Sequence, residues 1–397
     1  MTFPTKRATV ARRAVPFLDI SRENSPLTAS IQAAIEGVCE SGAFVLGPEC
    51  RHLEDTVARI SGVPHGIGCA SGSDALLLSL MALDIGPGDE VIVPSFTFFA
   101  TASAVSRLGA KPVFVDIDPR TYNIDPQEFA AAITPATKAV IPVHLFGQPA
   151  DMNHIMAIAE EHQVYVIEDA AQAIGAVHLD RPVGSWGHIG CISFYPTKNL
   201  GGFGDSGMMV TADDELAERL RLLRVHGMKP RYVHREVGIN SRLDSIQAAV
   251  LNVKLQSLND WTNARRENAE RYMRMFSTAR MSSQLTLPSV SPESHHVWNQ
   301  FTIRVHDGMR DALREYLNDQ KVGTEIYYPI PLHLQACFAD LGYREGSLPH
   351  TEQAAREVLN LPIFPMLTED EQETVVHHSV QFFASEVGRL TDYRPAA

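Results

Sequence analysis

The sequence predicts an α/β protein: a three-layer, mainly parallel sheet domain over residues 16–255, followed by a smaller α+β domain over 256–397. Two observations carry this. Between residues 66 and 211, short apolar runs alternate with segments of helical period, the pattern of a layered sheet with crossover helices. Beyond them, Leu243, Ile246, Val250 and Val253 recur at helical spacing in a segment reaching toward Met275, which predicts one long helix leading out of the first domain.

Seven runs predict strands: 66–70, 90–93, 112–116, 139–144, 164–168, 190–194 and 208–210. Many are almost wholly apolar, as expected of strands covered on both faces. Helices are predicted at 74–83, 97–107, 126–132 and 150–162, each with a Ser, Thr or Asp at or next to its start. Gly86-Pro87-Gly88-Asp89 punctuates the chain as a loop. In the second domain the alternating stretch 297–305 predicts a strand, with helices near 309–319 and 352–359. The first fifteen residues, with Lys6, Arg7, Arg12 and Arg13, predict a flexible basic tail.

The formal charge of -13 argues against broad binding to nucleic acid or to an anionic membrane, since both call for a basic surface. No apolar run approaches the roughly 20 residues of a membrane span, and no signal-peptide stretch opens the chain, so a cytoplasmic location is expected. Five cysteines, odd in number and without a CxxC pair, predict reduced thiols. His295-His296 and His377-His378 lack partners at metal-ligand spacing, and no metal is expected.

Three local features bear chemistry. Lys198 follows an apolar strand in the polar, glycine-rich turn of Pro196-Thr-Lys198-Asn-Leu-Gly-Gly202. A desolvated lysine there has a lowered pKa and a nucleophilic amine able to form a Schiff base, although most strand-end lysines are merely solvated. Asp169 ends the apolar run 164–168, where open sheets bind ligands. It suits either a protonated ring nitrogen or the cap of a following helix. Ser71-Gly72-Ser73-Asp74 turns from a strand into a helix, giving a phosphate site or simply a capped helix start. By contrast, Gly202-Phe-Gly204-Asp-Ser-Gly207 matches a dinucleotide fingerprint only by letter, because it leads into a strand and opens no helix. Together with the aromatic Phe98-Phe99, the three features supply what pyridoxal phosphate requires.

At this point the chain resembles the DegT/DnrJ/EryC1/StrS sugar aminotransferases, within the fold type I pyridoxal-phosphate superfamily. The resemblance runs from Val15-Pro-Phe-Leu-Asp19 through Ser71-Gly-Ser-Asp-Ala-Leu76, Glu168-Asp-Ala-Ala-Gln172, Ser193-Phe-Tyr-Pro-Thr-Lys198 and Gly238-Ile-Asn-Ser-Arg-Leu-Asp244 to Leu361-Pro-Ile-Phe-Pro365. It implies that Lys198 carries the cofactor, Asp169 pairs with the pyridine nitrogen and Gln172 contacts the phenolic oxygen. Ser73, Asp74 and Ser193 would hold the phosphate, and Phe98 would stack on the ring. Asn240 would reach the phosphate of a neighbouring subunit, making a homodimer with shared active sites. Arg242, Tyr327, Tyr328 and His333 match positions on the nucleotide-sugar side, although many relatives carry His where Tyr327 stands.

The implied reaction moves an amino group from an amino-acid donor, L-glutamate, onto a nucleotide-linked keto-sugar. The Gly-x-Asp-Ala-Leu turn resembles members acting on 3-keto sugars, with 4-keto sugars the alternative. A dehydratase relative carries His in place of the lysine, and a regulator or a desulfurase using Cys337 are further rivals.

Overall fold

The computed structural model describes residues 14–391. The four cations of the predicted flexible tail lie outside the described residues, but its last residue, Val15, is buried and so belongs to the fold and not to a tail.

All seven predicted strands form: β1 (His65–Cys69), β2 (Glu90–Pro94), β3 (Lys111–Val115), β4 (Thr137–Val140), β5 (Tyr165–Asp169), β6 (Ile189–Ser193) and β7 (Gly207–Thr211). They join in one sheet of order β1-β7-β6-β5-β4-β2-β3. The strands from β6 to β3 pair in parallel, and β7 runs antiparallel to both of its neighbours. The two-residue side-chain period divides each strand between two cores. Val91, Val93, Ile167, Cys191 and Met209 pack on one face with helices α1 (Gly72–Ala82), α2 (Phe99–Arg107) and α3 (Asp214–Leu223). Ile92 and Val166 face the opposite side, as do Ile192, Met208 and Val210, which lie with α4 (Ser245–Leu255) and the helix Pro48–Ile60. Apolar side chains therefore alternate around a sheet covered on both faces, the three-layer architecture of fold type I.

A second core gathers Tyr272 and Phe276 of α5 (Leu258–Thr278) with Phe301, Ile303 and Leu361. Its antiparallel sheet joins Leu285–Thr286, β8 (Phe301–Val305) and β9 (Val358–Leu361). Val15 enters the same core and pairs with Val322.

The strands predicted at 139–144 and 297–305 are shorter, Thr137–Val140 and Phe301–Val305, and two helix boundaries also differ from expectation. The single long helix is two, α4 and α5, because Ser257 N–H closes a tight turn on Lys254 O at 2.9 Å. Apolar periodicity persists through such a turn and does not record it. The predicted helix at 352–359 ends at Glu357, and Val358–Leu361 pairs with β8. Cross-strand pairing there overrides a locally helical pattern. No described helix is long and apolar enough to cross a membrane.

Candidate active site

The C-terminal ends of β5 and β6 and the start of α1 open on a cavity of about 460 Å³. Lys198 and Asp169 both line it.

Lys198 is presented by a tight loop after β6. Its N–H bonds Tyr195 O at 2.8 Å, and Gly202 N–H bonds Phe194 O at 2.8 Å. A Cβ on Gly201 would lie 2.3 Å from Pro196 O, so the loop admits only glycine there. The next residue, Asn199, donates to Val297 O at 2.8 Å and accepts from Asn299 Nδ2 at 2.8 Å, which anchors the loop to the C-terminal half. Burial lowers the Lys198 amine from 10.5 to about 8, against the opposing pull of the Asp169 charge.

Asp169, last in β5, accepts from Thr101 Oγ1 at 2.9 Å and from Ala171 N–H at 3.2 Å. Turns follow it and no helix does, so the helix-cap reading does not hold. Burial raises its proton affinity, and those two hydrogen bonds and the Lys198 charge oppose this. Each of the pair thus feels the other across one cavity. Gln172 is held at both ends of its amide, accepting from Phe146 N–H at 2.6 Å and donating to Tyr328 Oη at 3.1 Å. Phe146 (φ 59°) and Tyr328 (φ 57°) both adopt left-handed backbone, a strain that surrounding contacts must hold.

The cofactor fit can be tested at the start of α1. Ser71 caps it, its side chain taking Asp74 N–H at 3.1 Å and its carbonyl taking Ala75 N–H at 3.0 Å. The two amides ahead of these belong to Gly72 and Ser73, which line the cavity. A Cβ on Gly72 would lie 2.7 Å from Ser193 Cβ, so glycine lets the helix start close against Ser193. Free helix amides beside a serine hydroxyl make an anion cradle. Phe98, 60% exposed, offers an open aromatic face on the same cavity. Ser206 Oγ and Gln300 Oε1 are buried, line the cavity and have no hydrogen-bond partner among the described residues. A phosphate cradle, an aromatic face, an amine and a carboxylate fit pyridoxal phosphate.

Ser73, Phe98, Asp169, Gln172, Ser193 and Lys198 therefore come together, and Tyr327 and Tyr328 line the same cavity. Asp74 does not line the cavity; it accepts from Ser241 Oγ at 2.7 Å and braces the segment entering α4. Asn240 is exposed and Arg242 half-buried, both outside the cavity. His333 is also outside it. It is 1% exposed, with Ser95 Oγ 2.7 Å from Nδ1 and Glu352 Oε1 3.2 Å from Nε2, which makes it a buried strut and leaves it no free face for substrate. His144 is likewise enclosed, between Glu168 at 2.9 Å and Ala150 N–H at 3.0 Å. Sequence reasoning missed Thr101, Asp205 and Gln300. Only the helical spacing from Phe98 could have pointed to Thr101.

This fold and site define a pyridoxal-phosphate enzyme of fold type I. The chain belongs to the DegT/DnrJ/EryC1/StrS aminotransferase family, whose model matches residues 26–380. It is 51% identical over 369 residues to a Geobacillus stearothermophilus protein called a pleiotropic regulatory protein, covering 93% of this chain and 98% of that one. It is 49% identical over 358 residues to an Acidithiobacillus ferrooxidans UDP-N-acetyl-3-dehydro-alpha-D-glucosamine 3-aminotransferase, covering 90% and 95%. Bacillus subtilis NtdA, solved with bound cofactor PMP, superposes with a TM-score of 0.88 at 34% identity, over 96% of this chain and 87% of that one. The chain is an aminotransferase and its cofactor is pyridoxal phosphate.

Proposed function

We propose that this aminotransferase acts on a nucleotide-linked keto-sugar, with the 3-keto position favoured over the 4-keto and L-glutamate as donor. The observation that carries the reading is the lining of one cavity. Lys198, Asp169 and the phosphate cradle share it with Asp205, Gln300 and Tyr327, polar groups suited to a hydroxyl-rich substrate. The 3-amino product of the Acidithiobacillus relative, together with Asp74 in the phosphate turn, supports the 3-keto preference.

When bound, pyridoxal phosphate supplies a conjugated ring that accepts the electron pair left as a proton departs from the carbon bearing nitrogen. Lys198 Nζ, neutral in a large fraction near pH 8, takes that proton from the donor Cα. In the second half-reaction it returns a proton to the sugar carbon. Asp169 holds negative charge at the ring nitrogen, and Gln172 donates from an amide already fixed between Phe146 and Tyr328. Ser73 and Ser193 hold the phosphate, and Phe98 covers one ring face.

Asn240 serves the phosphate of a second copy's site in a homodimer, and Arg242 serves the nucleotide-sugar side. Phe44 and Val45, 47% and 50% exposed, lie beside the same segment through the Val45–Asp244 bridge and suit an interface.

The test is absorbance of the loaded enzyme. L-Glutamate should bleach the cofactor band, and UDP- or dTDP-linked 3-keto sugars should restore it faster than their 4-keto isomers. Equal or reversed rates would remove the 3-keto assignment, and no restoration by any sugar nucleotide would remove the substrate class.

A pH dependence follows from the lysine. Its amine is nucleophilic only when neutral, so covalent uptake of pyridoxal phosphate by the cofactor-free protein should rise with pH and reach half-maximum near 8, not near 10.5. Stopped-flow absorbance across this range measures it.

A further inference from the structure

Phe98, at the cavity, is the residue from which α2 departs. One turn along, Thr101 is fully buried, and its hydroxyl donates to Asp169 Oδ2 at 2.9 Å. Thr97, 1% exposed, places its own hydroxyl 3.2 Å from that of Thr101. An ionised carboxylate only accepts, so the single proton of Thr101 goes to Asp169 and Thr97 must donate to Thr101. The two hydroxyls form a directed chain ending on the carboxylate, and in a buried site each bond polarises the next. Oδ1, the other carboxylate oxygen, accepts from Ala171 N–H at 3.2 Å.

We propose that Thr101, backed by Thr97, is a positioning residue that keeps Asp169 ionised and aimed into the cavity, and thereby sets the affinity for a protonated ring nitrogen. This rests on the reading of Asp169 as the ring-nitrogen partner. Burial favours the protonated acid, and the Thr101 hydrogen bond is the foremost influence against it. The titratable groups facing Asp169 are Lys198, His144, Tyr328 and Cys191. None of them replaces a short neutral donor fixed on a helix.

Valine keeps the shape of threonine without its hydroxyl, and serine keeps the hydroxyl. Binding of pyridoxamine 5'-phosphate needs no covalent bond to Lys198 and can be followed by protein fluorescence between about pH 5 and pH 9. Thr101→Val should weaken it about tenfold or more, as expected for a lost hydrogen bond to a charged group. The acid limb of the binding profile should also move to higher pH, because a carboxyl without its donor is easier to protonate. Thr101→Ser should bind within about threefold of wild type. In an Asp169→Asn background, Thr101→Val should add no further loss.

Equal weakening by Thr101→Val in both backgrounds would overturn the proposal in favour of simple packing. So would wild-type affinity and pH profile in Thr101→Val when Asp169→Asn binds poorly, and in that case the reading of Asp169 survives. Wild-type binding by Asp169→Asn would take both down.

Discussion

Lys198→Ala should give a folded protein that still binds pyridoxamine phosphate and whose transamination falls by about 10⁴-fold or more. Acid–base catalysis by a positioned group alone contributes about 10²–10⁴-fold, and this lysine also forms the covalent link that the substrate amine displaces. The fold should not suffer. Burial lowers the amine to about 8 from 10.5, so the folded state binds the proton less well than the unfolded chain. That penalty is full below the folded value and vanishes above the unfolded one, so removing the lysine near neutral pH should leave the melting temperature unchanged or raised. Small primary amines added to the variant should restore part of the rate, because the proton carrier is what is missing. Turnover near the wild-type rate without added amine would assign the proton transfer to another residue.

The parts of this site legible in the sequence are those set by position along one strand or turn. Lys198 and Asp169 follow apolar runs, and an open α/β sheet presents such residues at its ligand-binding edge whatever the rest of the chain does. Ser71 through Asp74 were legible for the same local reason, since a helix start after a strand exposes its own amides. Residues supplied by packing were not. Thr101 sits on a neighbouring helix, 68 positions from the carboxylate it contacts, and looks like any small residue on a buried face. Gln300 reaches the cavity from beside β8, where the alternating pattern marks it only as part of a strand. His333 erred in the other direction. Its neighbourhood in the sequence resembles a substrate loop, yet Ser95 and Glu352, both distant in the chain, enclose the ring. Helix ends were lost where pairing intervened, as at Val358, whose apolar run fits either state until β8 claims it.

Asp169→Asn isolates charge from shape. Asparagine is nearly isosteric, and its carbonyl can still accept from Ala171 N–H or Thr101, so the turn after β5 should hold and the variant should fold. What it removes is the negative charge opposite the ring nitrogen. Two unit charges about 4 Å apart, at an effective dielectric of about 20, interact by about 4 kcal/mol, and each 1.4 kcal/mol is about tenfold in rate. If that interaction is made mainly as the donor proton leaves, the glutamate half-reaction should slow by about 10³-fold, with little change in melting temperature. Single-turnover absorbance measures the slowing directly. A cofactor methylated at the ring nitrogen carries its positive charge without help, so it should return much of the rate to the asparagine variant and little to Lys198→Ala. That crossing pattern separates the two residues: one holds charge at the ring, and the other moves the proton. A slowing of less than about tenfold would mean that Asp169 serves the turn it closes and that the ring nitrogen finds its charge elsewhere.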